Sequence, residues 1–77
     1  MSIHILRILA TDGRVRSFTG EQRELEMLRN RLVFAVDRDR YAIVRAGLST
    51  ERVEVHVQDV AAVGVVEPWP PDRGSAQ

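Results

Sequence analysis

The chain has 77 residues, of which 44% are hydrophobic and 29% are charged, a composition typical of one small globular domain. Its 11 cationic side chains, all arginine, balance 11 acidic ones, which argues against the positive field that non-specific binding to nucleic acids or anionic membranes requires. No apolar run approaches the length of about 18 residues that crosses a membrane. Residues 1–7 lack the features of a signal peptide, so we expect a cytoplasmic protein. The absence of cysteine excludes disulfides and thiolate chemistry.

The chain opens with a predicted β-hairpin. The segment from Ile3 to Ala10 is aliphatic and β-branched, and Thr11-Asp12-Gly13-Arg14 separates it from the segment from Val15 to Phe18. An Asp-Gly pair between two such runs favours a two-residue turn. That turn would pair Thr11 with Arg14, Leu9 with Arg16 and Arg7 with Phe18.

An amphipathic helix is predicted next. Thr19 and Gln22 have the spacing of a capping box. Apolar residues then recur every three or four positions, while arginine and glutamate occupy most of the others. We therefore predict one helix from about Gly20 to Val36, with an apolar stripe that faces the sheet. The stripe consists of Leu25, Leu28, Leu32 and Val36.

Three further strands are predicted after the helix. The segment from Tyr41 to Ala46 ends at Gly47, the segment from Arg52 to Gln58 alternates valine with polar residues, and the segment from Val60 to Val66 is more apolar. Gly64 in the last strand indicates a bulge or a close backbone approach. The predicted fold is a single α+β domain over residues 1–67, in β-β-α-β-β-β order, with one amphipathic helix on a curled, mainly antiparallel five-stranded sheet. Residues 68–77 are predicted to be a proline-rich, largely disordered tail.

The first hairpin carries the candidate interaction surface. In the predicted register one face is apolar with an arginine cluster at the turn end, and a single helix cannot cover both faces of the sheet. Arginine together with large apolar groups is typical of protein interfaces, although the later strands could instead cover this face. Leu9, Arg16 and Phe18 are expected to lie between subunits. The full set of candidate interface residues is Ile5, Arg7, Leu9, Arg14, Arg16 and Phe18.

Trp69 is a separate candidate contact in the tail. Between prolines, it could be presented to the groove of a partner in an extended segment. It could instead fold back onto the apolar surface of its own domain. We favour the second interpretation, because a lone tryptophan has a large area to bury.

No residue set predicts catalysis, a metal site or a cofactor. Glu54 and His56 lie two positions apart on a predicted strand face, but zinc generally needs three or four ligands, so we interpret the pair as a solvated face. Ser49 and Thr50 are predicted to lie in a turn, where their hydroxyls would cap the local backbone. We interpret His4 as an edge or interface residue, and the glycines are too scattered for a phosphate-binding loop. We therefore expect a non-enzymatic protein.

Three functions remain open on this basis. The first is a small interaction or regulatory module, homo-oligomeric, that acts by binding a protein partner. The second is a nucleic-acid-associated protein that uses Arg7, Arg14 and Arg16 with Phe18 as a stacking platform. The third is a small-ligand binder with its pocket at a subunit interface. We expect the first, because the two-sided hairpin offers a contact surface without any catalytic apparatus.

Overall fold

A computed structural model describes residues 3–48 and 51–70 of the chain. These residues form five strands and one α-helix, and the predicted α+β class and β-β-α-β-β-β order are confirmed. A short 3₁₀ helix, Val57–Asp59, connects the last two strands. The elements are β1 His4–Ala10, β2 Val15–Gly20, α1 Gln22–Arg38, β3 Ile43–Gly47, β4 Arg52–His56 and β5 Val60–Pro68.

The strands form two antiparallel sheets, so the predicted single five-stranded sheet is wrong. β1 lies between β2 and β5 in a three-stranded sheet, and β3 pairs with β4 in a separate two-stranded sheet. The two sheets are joined by side-chain packing against α1, and no hydrogen-bonded ladder between them is described. Valines of β3 and β4 therefore share one core with β1 and the helix. Its members include Leu6, Ile8, Leu28, Val44, Val53 and Val55.

α1 begins and ends two residues later than predicted. Thr19 and Gly20 continue β2, so they are not available to start the helix. The N-cap is Glu21, and its backbone amide donates to the Glu24 carboxylate at 3.4 Å. The capping box therefore exists, but it lies two residues further along the chain than the predicted one.

The apolar stripe of α1 faces the core, as predicted. Leu25, Leu28 and Leu32 are at most 1% exposed. Ala35 is also buried, and Val36 packs at the margin of the core. Removing each leucine from water stabilises the fold by about 1.5–3 kcal/mol.

β5 has the close backbone approach that Gly64 indicated. The register between β1 and β5 shifts between Leu6 and Ile8. The Arg7 carbonyl oxygen lies 2.7 Å from the position that a Cβ on Gly64 would occupy. The Nε of Arg29 donates to the Gly64 carbonyl at 2.7 Å. A residue without a side chain is therefore required at this point of the strand.

His4 does not lie on a sheet edge. β1 is the central strand, and His4 pairs with Gly20 on one side and Pro68 on the other. Its side chain is 8% exposed. The interpretation of His4 as an edge residue is wrong, because β5 returns from the end of the chain to pair with the free side of β1.

Leu28→Ala is expected to lower the free energy of unfolding by about 2–5 kcal/mol, because the truncation leaves a cavity in the shared core. Thermal unfolding followed by circular dichroism measures the loss. The control is Val33→Ala on the same helix, where the side chain is 42% exposed. An unchanged melting temperature for Leu28→Ala would show that the stripe does not hold the sheets together.

Gly64→Ala is expected to destabilise the domain by about 1–3 kcal/mol, because the new methyl group would force the Arg7 carbonyl away. Gly47→Ala is the matched control, since nothing lies within 4 Å of a Cβ at that position. Denaturant unfolding of both variants makes the comparison. Equal stability of the two variants would contradict the close approach at Gly64.

Candidate interaction surface

The register of the first hairpin determines which side chains share a face. Leu9 pairs with Val15, one residue away from the predicted pairing with Arg16. The Gly13 amide donates to the Ala10 carbonyl at 3.0 Å, and Gly13 has a φ of 89°. This is a type I turn followed by a left-handed glycine, which closes a three-residue loop instead of a two-residue one. The one-residue slip moves every side chain of β2 to the opposite face of the sheet.

The slip removes Phe18 from the predicted interface. Phe18 is 6% exposed and belongs to the core, where it pairs with Leu6. The Arg16 guanidinium lies 5.1 Å from the Phe18 ring centroid, on the helix side of the sheet. Arg14 lies in the turn and approaches Asp12 at 3.8 Å. The placement of Arg16 and Phe18 on the face of Leu9 is therefore wrong, and the Phe18 ring is not available as a stacking platform.

The face of the three-stranded sheet that points away from α1 is called the outer face here. β1 contributes Ile5, Arg7 and Leu9 to it by strand alternation. Ile5 is only 5% exposed and lies in register between Thr19 and Glu67. Around it, exposed apolar side chains occupy the outer face and its margin. They are Ile3, Leu9, Val15, Val65 and Trp69, at 56%, 41%, 59%, 62% and 39% exposure.

Arg7 and Glu67 form the charged part of the outer face, and Trp69 lies beside them. Arg7 Nη1 lies 3.2 Å from Glu67 Oε2, and its guanidinium lies 5.5 Å from the Trp69 ring centroid. The Trp69 backbone amide donates to the Ile3 carbonyl at 2.8 Å. Trp69 thus folds back onto its own domain, in agreement with the favoured interpretation. β5 extends to Pro68, and residues 71–77 of the predicted tail lie outside the described residues.

The two-stranded sheet carries a separate polar cluster. The predicted alternation of β4 is confirmed, since its valines are buried and Glu54 and His56 are exposed. Glu54 accepts a hydrogen bond from Arg45 Nε at 2.8 Å, and His56 Nε2 lies 3.2 Å from its other carboxylate oxygen. The Arg45 hydrogen bond, followed by that of His56, lowers the pKa of Glu54 below its ordinary value. The sequence did not predict the pairing of Glu54 with Arg45, because that pairing depends on the β3–β4 register.

An open concavity of about 430 Å³ lies beside this cluster. Its lining comes from β3 and β4 and includes Arg45, Arg52 and Glu54. Among the described residues, no group of three or more histidine, aspartate or glutamate side chains is placed to hold a metal ion. The concavity is therefore a shallow, mixed-charge surface, separate from the outer face.

Comparison of the sequence with protein-family models and with curated proteins, and of the structure with solved structures, gives no match. Within the described ranges, no helix has the length and apolar character needed to cross a bilayer.

Arg45→Gln is expected to raise the pKa of Glu54 towards its ordinary value, because the hydrogen bond with the largest effect on this carboxylate is lost. Side-chain NMR titration measures the change, with Arg52→Gln on the same hairpin as the control. Since the pKa of Glu54 is lowered in the folded state, its ionised carboxylate stabilises the fold at pH values above the unfolded-state pKa. This stabilisation disappears as the pH falls through the folded-state value. An unchanged Glu54 titration in Arg45→Gln would contradict the assignment.

Proposed function

We propose that the protein is a small non-enzymatic interaction module, whose copies associate through the outer face and which acts by binding a protein partner. The observation that carries the proposal is the group of exposed apolar side chains Leu9, Val15 and Val65. They lie on the face of the three-stranded sheet that points away from α1, by strand alternation. Exposed apolar side chains grouped on one face of a small soluble protein are typical of interaction surfaces.

Charge supports a second copy as the occupant of the outer face. Arg7 and Glu67 neutralise each other at 3.2 Å, so this part of the face has no net charge. Two copies can therefore meet without like-charge repulsion. Antiparallel sheets pack about 10 Å apart with their strands nearly aligned, which would bury the apolar side chains of both copies.

The size of the domain supports association as well. A chain of this length buries only about 62% of its unfolded surface when it folds alone. Its stability is then modest, and further burial between subunits adds to it. The nucleic-acid alternative has less support, because Phe18 is buried and Arg7 is already paired with Glu67.

Leu9→Asp is expected to weaken this association, because the new carboxylate would have to lose its hydration in the contact. Sedimentation equilibrium should give a lower average mass than the wild type, while circular dichroism remains that of the folded protein. Val65→Asp tests the same face from β5. Val33→Asp is the control, because Val33 is exposed to nearly the same extent, 42% against 41% for Leu9, but lies on α1.

Two results would contradict the proposal. The first is a wild type that remains monomeric from micromolar to millimolar concentration. The second is an average mass that falls equally in Leu9→Asp and in Val33→Asp, since the helix lies on the other side of the sheet. Loss of the folded circular dichroism in Leu9→Asp would assign this side chain to the fold, and Val65→Asp would then decide the matter.

A further inference from the structure

We propose that β2 pairs in antiparallel orientation with β2 of a second copy, so that two three-stranded sheets become one six-stranded sheet across a two-fold axis. β2 is an edge of its sheet. The Ala10 amide donates to the Arg14 carbonyl at 2.8 Å, which directs the backbone groups of alternate β2 residues towards β1. The groups of Val15, Ser17 and Thr19 therefore point away from β1. No described hydrogen bond from another element reaches them.

β2 also lacks most of the features that protect edge strands. Natural edges are blocked by charged side chains, proline, bulges or a covering element. β2 contains no proline, and Arg16 is its one charged residue. By contrast, the β5 carbonyls of Gly64 and Val60 already accept hydrogen bonds from Arg29 and Arg40. β4 presents Arg52, Glu54 and His56 to solvent.

The sequence of β2 is complementary to itself in one register. If Ser17 lies opposite Ser17 of the second copy, Val15 lies opposite Thr19. The backbone amides of these three outward-pointing residues then donate hydrogen bonds to the second copy, and their carbonyls accept hydrogen bonds from it. Arg16 then lies opposite Phe18, whose ring it already approaches at 5.1 Å within one chain. A shift that places Arg16 opposite Arg16 would bring like charges together, which is destabilising. A shift in the other direction leaves Val15 unpaired.

Edge pairing and the outer-face contact use different parts of the surface and different symmetry axes. The axis between two β2 strands runs perpendicular to the sheet, whereas the axis between two packed outer faces lies in the plane of the sheet. Where both contacts form and their two axes intersect, they generate a closed tetramer of two packed six-stranded sheets. The tetramer rests on the proposed function. The β2 pairing does not.

Cysteine cross-linking tests the register directly, because the chain has no cysteine of its own. A thiol introduced by Ser17→Cys would lie opposite its copy, with Cα atoms about 5.5 Å apart, within the range that a disulfide spans. Thr19→Cys is the matched control. Its two thiols would lie four residues apart along the strands, about 13 Å. Under mild oxidation, Ser17→Cys should form covalent dimers more than about tenfold faster than Thr19→Cys. Equal rates, or no covalent dimer, would overturn the pairing.

Ser17→Pro gives a second measurement. Proline at this position removes an amide that points to solvent in the monomer, so the β1–β2 ladder stays intact. Circular dichroism should be retained and the sedimentation mass should fall by half. If both contacts exist, Ser17→Pro and Leu9→Asp each leave a dimer, and the double variant is a monomer. If only β2 pairing exists, Leu9→Asp has no effect on the mass. If only the outer-face contact exists, Ser17→Pro leaves the mass of the wild type, and the β2 pairing is wrong.

Discussion

The left-handed backbone of Gly13 sets the register on which the arrangement of this small domain depends. Because the loop contains three residues, Leu9 pairs with Val15 and both point to the outer face. Phe18 consequently faces α1 and becomes part of the core. A two-residue turn would have placed the Phe18 side chain in solvent and the Val15 side chain in the core. The apolar outer face and the buried aromatic ring thus have a common cause in a single turn.

The core explains why two short sheets can coexist in so small a chain. The buried leucines of α1 contact both sheets, so the helix replaces the ladder hydrogen bonds that a continuous sheet would supply. Arginine side chains also donate hydrogen bonds to backbone carbonyls of β3 and β5. Arg29 donates to Gly64, Arg40 to Val60 and Arg31 to Arg45. The long side chain and the several N–H donors of arginine allow it to reach and bind backbone carbonyls. Part of the arginine content therefore has a structural use.

The proposed interaction function follows from the asymmetry of the three-stranded sheet. One face is covered by α1, while the other exposes Leu9, Val15 and Val65 beside an internally neutralised ion pair. One edge has carbonyls occupied by arginines, while the β2 edge directs free amides and carbonyls to solvent. Both uncovered parts of the sheet suit contacts with another polypeptide.

Local sequence patterns determined the elements of this protein, because side-chain periodicity and glycine positions act over a few residues. Three features could be predicted in this way: the leucine stripe of α1, the alternation of β4 and the close backbone approach at Gly64. The tertiary structure alone decided the division into two sheets, the burial of His4 and the pairing of Arg45 with Glu54. The division into sheets and the burial of His4 depend on contacts between residues far apart in the chain, whereas the Arg45–Glu54 pair depends on the β3–β4 register. The composition of the outer face was likewise decided only by the structure, since a one-residue change of register exchanges the two faces of a strand without altering its sequence pattern.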